Sequence, residues 1–100
     1  MNHETENEQA IKFFTECMNI LKSKAHDYAN SGDCFSNFKK IANMTDLSVK
    51  KVFEVFLSVK MARINELFKG KTPKNESIDD TLKDLANYAC LLSIYGNETE

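Results

Sequence analysis

VFEVFLSVKMARINELF, residues 52–68, decides the fold: its apolar residues recur at helical spacing, and two strong bases interrupt them. At 100° per residue the apolar face runs through Val49, Phe53, Phe56, Ile64 and Leu67, while Lys50, Lys51, Glu54, Ser58, Asn65 and Lys69 fall opposite. Lys60 and Arg63 fall inside the apolar stripe. An unpaired charge in such a place is costly, so each base must snorkel to solvent, meet a carboxylate or meet an anionic ligand. Ser48 is placed to cap this helix and Gly70 to follow its end.

The same pattern extends to both sides. From about Asn7 a helix gathers Ala10, Phe13, Phe14, Cys17, Met18, Ile20, Leu21, Ala25 and Tyr28 on one side, with Lys24 inside that apolar sector and Asp27 just after it. The segment ANSGD, residues 29–33, reads as a loop, and Asp33 is suited to cap a short helix bearing Phe35, Phe38, Ile41 and Met44, of which Phe35 and Phe38 are expected in the core. After KGKTPKNE, with Gly70 and Pro73, the residues Ser77 to Asp80 imitate a capping box. The last helix, Ile78 to Tyr95, sets Ile78, Leu82, Leu85, Ala89 and Leu92 on a buried side and Asp80, Asp84, Asn87 and Leu91 along another. From Tyr88 to Tyr95 it is apolar nearly all round, which predicts cover from other helices or from a second chain. Gly96 reads as its end. The fold class is all-α, a bundle of about three long helices and one short one. A single domain spans 7–95, between tails at 1–6 and 96–100.

Composition narrows the function. With three Gly and one Pro in 100 residues, hairpins and phosphate loops have little material, and so short a chain favours oligomerisation. A net charge of −2 gives no general attraction to nucleic acid, and Lys69, Lys71 and Lys74 do not reverse that. Any anion must be bound locally. Cys17, Cys34 and Cys90 form neither a disulfide framework nor a zinc pattern, and no basic leader or membrane-length apolar run is present, so a cytoplasmic protein is expected. Met18, Met44 and Met61 read as core or interface fillers, and His3 and His26 as solvated side chains rather than catalysts.

Lys24, Lys60 and Arg63 can converge with Asp27, Asp80 and Asp84 if the long helices pack side by side. Two readings follow. The first is an ion-pair network that fixes helix register. The second is an anion site in which Lys24, Lys60 and Arg63 take phosphate, while Asp27, Asp80, Asp84 and Asn87 face a ribose, a base edge or Mg²⁺, and Tyr28 or Tyr88 stacks. Asp80 has an equal claim as a helix cap.

K-x-x-D-Y at Lys24 to Tyr28, the Phe35 and Phe38 segment, V-K-M-A-R-I from Val59 to Ile64 and D-x-x-x-D-L-A-N-Y from Asp80 to Tyr88 together resemble the small phage-associated "nucleotide modification associated" domains. These are similar to the all-α nucleoside triphosphate pyrophosphohydrolases of the MazG and dimeric dUTPase type. The resemblance covers roughly residues 10–95 and implies a helical bundle that dimerises or assembles further, with a nucleotide lodged between helices. Pyrophosphohydrolases of that type carry E-x-x-E on one helix and E-x-x-D on a later one to hold Mg²⁺. The corresponding positions here look like Lys60-x-x-Arg63 and Asp84-x-x-Asn87, so two acids have become bases and one an amide.

The expectation is therefore a phosphorylated-nucleotide-binding protein, phage-encoded on the resemblance and acting in the host cell cytoplasm, with one role in sequestering a nucleotide signal of host defence. No cofactor is expected. Alternatives are a Mg²⁺-dependent pyrophosphohydrolase, with Mg²⁺ at Asp80 and Asp84, and a non-catalytic helical interaction protein. Expected partners are a nucleotide or nucleotide-derived molecule and further copies of the chain, with neither membrane nor nucleic acid.

Overall fold

Four helices make up all the regular structure among the described residues of the computed structural model, which are 2–27, 35–70 and 76–99. They are α1 (His3–Asp27), α2 (Ser36–Thr45), α3 (Val49–Phe68) and α4 (Ile78–Thr99). None is long and apolar enough to cross a membrane. The expected loop at 29–33, the cap at Asp33, Tyr28, and Lys71 and Lys74 lie outside the described residues, as does the side chain of Asp27.

The caps explain the boundaries. Ser48 Oγ accepts from the Lys51 amide at 3.1 Å to open α3. Gly70, at φ 87°, follows its end in the left-handed region that a residue with a Cβ enters at a cost. Ser77 Oγ accepts from the Asp80 amide at 3.0 Å at the start of α4. Two boundaries differ from the sequence pattern. The helix read from Asn7 begins at His3, because the Asn2 side chain accepts from the Thr5 amide and hydroxyl, each at 2.9 Å, and Glu4 and Glu6 suit the positive end of the helix dipole. Residues 3–6 are thus helical rather than tail, and a cap with first-turn acids needs no buried residue to support it. At the other end α4 continues through Gly96 to Thr99, so the tail expected from 96 is also largely helix.

In space the helices form a series of pairs: α2 lies on α3, α3 on α4, and α4 on α1, and among the described residues α1 approaches neither α2 nor α3. The radius of gyration is 15.5 Å, against about 13 Å for a compact chain of this length. The main core lies where α2, the first half of α3 and the second half of α4 meet. Phe35, Phe38, Ala42, Val52 and Phe53 are buried there, with Ile41, Val49, Phe56, Tyr88, Leu91, Leu92 and Tyr95 packed around them. Phe53 is fully enclosed, stacked on Phe38 at 4.1 Å between ring centroids, while Tyr95 meets Phe35 edge-on at 5.4 Å.

This core absorbs much of the apolar surface from Tyr88 to Tyr95, leaving Cys90 and Ile94 facing outward. Phe14 and Leu82, expected on buried sides, are exposed, as are Ala10 and Ala89; Met18, Met44 and Met61, expected as core or interface fillers, face outward. The face of α4 is turned relative to the one expected, with Thr81 and Asn87 its most buried residues. Thr81 is tolerated because its hydroxyl donates to the Ser77 carbonyl at 3.0 Å.

Candidate functional site

Lys60 points from the buried stripe of α3 into the space beside the first half of α4. Its ammonium lies 2.9 Å from Asp84 Oδ2 and 3.0 Å from Glu76 Oε1, and its side chain keeps only 16% of its exposure. One turn on, Arg63 donates from its guanidinium terminus to the Glu76 carbonyl, and its Nε stands 3.3 Å from Glu76 Oε2. That Nε is close enough to count as an ion pair but is buried without a hydrogen bond, because its N–H is not aligned on the carboxylate. From α1, Lys24 reaches to 3.8 Å of Asp84 Oδ1 and lies 5.9 Å above the Tyr88 ring.

The helix period explains why these groups meet. Lys60 and Arg63 are three residues apart and so share a face, and α4 presents Asp84 and Tyr88, four apart, on the face turned to them. Glu76 is two residues before α4 begins, so the loop end delivers its carboxylate between both bases. Among the described residues the paired set is three bases, Lys24, Lys60 and Arg63, against two carboxylates, Glu76 and Asp84. Burial alone would lower the Lys60 pKa, but the hydrogen bonds that its ammonium donates to Asp84 and Glu76 outweigh it and hold the pKa above the ordinary lysine value.

The remaining candidates separate from this cluster. Asn87 is buried, but its amide nitrogen donates to the Cys17 carbonyl at 3.1 Å, tying α4 to α1 rather than facing a ligand. Asp80 is exposed in the first turn of α4, where its amide is bound by Ser77, which favours the helix-end role over the site. Tyr88 packs against Phe38 and Phe56, with Lys24 over its ring. The Asp27 side chain and Tyr28 lie outside the described residues. Glu76 is the site residue that helical periodicity missed. It lies in a loop, where no repeat assigns a face, and its only signal was its position beside the capping Ser77.

A second cluster joins α1 to α4. Lys83 pairs with Glu16 and, at 2.8 Å, with Asp79, and these hydrogen bonds raise its pKa well above the ordinary lysine value. Beside it, burial pushes the Cys17 thiol up, which keeps it protonated and a weak nucleophile. Set against protein-family models, curated proteins and solved structures, the chain matches none.

Proposed function

We propose that the α1–α3–α4 cluster binds the phosphate of a phosphorylated nucleotide, with Lys24, Lys60 and Arg63 as the phosphate-binding groups. The observation that carries this reading is the unbalanced, partly enclosed charge. Among the described residues three bases face two carboxylates, and the Arg63 Nε donor is buried with no hydrogen bond. A phosphate oxygen would supply both the missing negative charge and the missing acceptor. Glu76 occupies the place a phosphate would take between Lys60 and Arg63, and a phosphate there would displace its carboxylate. Tyr88, part-exposed with Lys24 over its ring, is the group that would stack on the base in this reading. In this reading the chain acts as a homo-oligomer that holds its nucleotide intact, as in sequestration of a signal.

Turnover fits the donor set less well. Asp84 has one oxygen on Lys60 and the other near Lys24, so a Mg²⁺ ion there would compete with two ammonium groups. A second reading is favoured by the Glu76 and Asp84 pairs themselves: the cluster as a purely structural clamp between α3 and α4.

Incubation with a nucleotide library, with and without Mg²⁺, tests the binding reading. Intact ligand released on denaturation supports it, a monophosphate with pyrophosphate supports the enzyme, and no retention supports the clamp. Arg63→Ala then separates site from clamp, by calorimetric titration and thermal melting of one variant. A phosphate-binding Arg63 predicts a loss of about 2 kcal/mol in binding with a much smaller change in melting. A clamp predicts the reverse.

A further inference from the structure

We propose that the outer face of α1 pairs with the same face of a second copy of this chain, the two helices running antiparallel about an axis between Phe14 and Thr15. Helix α1 packs on α4 through the side that carries Cys17 and Glu16. The opposite side is bare. Asn7, Ala10, Ile11, Phe14, Thr15 and Met18 line a shallow groove there, and Ile11, Phe14 and Met18 keep 66, 60 and 55% of their exposure. Three large apolar side chains on successive turns, exposed on a helix that among the described residues touches one other helix, form the kind of contiguous patch that marks an association surface.

Charge selects the occupant and its direction. Glu8, Thr15 and Lys22 are seven residues apart and lie along one edge of the stripe. In an antiparallel pair, equivalent edges of the two helices meet. An axis between Phe14 and Thr15 sets Ile11 opposite the other copy's Met18, and Glu8 beside the other copy's Lys22, twice over by symmetry. A parallel pair would instead set this edge against the opposite edge of the stripe, at Ala10 and Cys17, so that Glu8 would not meet Lys22. The edge is therefore complementary to itself in one direction only, which is the property a second copy uses. One helix face falls in the smallest class of interfaces, under about 1,200 Å² in total, so the dimer dissociates on dilution.

Sedimentation equilibrium of the full chain across micromolar to millimolar concentration tests this. The wild type should show a monomer–dimer equilibrium. Phe14→Glu should abolish the dimer while circular dichroism reports unchanged helicity, since Phe14 is mostly exposed. Glu8→Lys and Lys22→Glu should each weaken the dimer several-fold, and the double reversal should restore it. A single-chain mass at millimolar concentration overturns the proposal and reassigns the face to a different partner. A dimer that survives Phe14→Glu, or one that the double reversal fails to restore, overturns it equally.

Discussion

The two ends of the α3–α4 pair are built by different physics. Toward the start of α3 and the end of α4, α2 closes over the pair and fills the space with rings, so that Phe53 and Val52 are almost wholly removed from water. Toward the end of α3 and the start of α4, the seam is held by Lys60, Arg63, Glu76 and Asp84, each with some exposure to solvent. A closed aromatic core contributes stability in proportion to the apolar area it buries. An ion-paired seam contributes much less net free energy, because desolvation offsets most of the attraction, but it leaves charges in place that a ligand can address. The difference sets the closed apolar core at one end of the pair and the part-exposed ionic cluster at the other.

Truncation at the aromatic end should have the largest effect. Phe53→Ala removes a ring that stacks on Phe38 and contacts Phe35 and Tyr95, and should cost about 3 to 5 kcal/mol of folding stability by denaturant titration. A cost below that of any substitution in the charged seam would reverse the assignment of the two ends.

In the seam, Lys60→Ala should cost about 2 kcal/mol. It leaves Asp84 and Glu76 facing each other without their shared cation, but both carboxylates keep roughly a quarter of their exposure and so recover some hydration. Thermal melting of Lys60→Ala beside Phe53→Ala ranks the two regions directly.

The seam should also answer to pH. Because the folded Lys60 pKa is raised above its ordinary value of 10.5, its contribution is fully present below that value and is lost as pH rises through the higher folded pKa. Lys83 is shifted in the same direction, so wild-type stability should fall in the alkaline range. The fall should be shallower in Lys60→Ala, and identical pH profiles for the two proteins would contradict the coupling.

The pattern that was legible in the sequence follows the same division. Helical periodicity located α3, its polar face, its two intrusive bases and both of its ends, since each is a local property of residues 48–70. It also sets Lys60 and Asp84 among the three bases and three carboxylates that can converge, without saying which base meets which acid. Periodicity cannot tell an apolar residue that faces the core from one that faces outward on a helix with one described neighbour, so it sets Phe14 and Met18 on the apolar side without saying whether that side is covered. Glu76 was missed because a loop has no face to read, and Asn87 was drawn into the site because its sequence position does not reveal the Cys17 carbonyl across the α1–α4 seam. The termini were read as tails because apolar spacing runs out before the caps and helical hydrogen bonds do.

The smallest expected effect is also the one whose sign is most informative, and it concerns Gly96. Read from sequence, Gly96 ends α4, which would require the left-handed backbone that glycine adopts freely. In that case Gly96→Ala would destabilise the protein. In the structure α4 passes through Gly96 to Thr99, Gly70 is the described glycine with a positive φ, and a Cβ built at Gly96 meets nothing within 4 Å. Alanine there would fit without strain, favour the helical backbone and lower the entropy of the unfolded chain, so Gly96→Ala should stabilise by about 0.5 to 1 kcal/mol. Tyr95, which packs on Phe35 and Phe53 from the preceding position, links this last turn to the aromatic core. A small rise in melting temperature would therefore place the last turn of α4 inside the cooperative unit at the aromatic end. A fall would return Gly96 to its role as a helix terminator and confine that unit to residues before it.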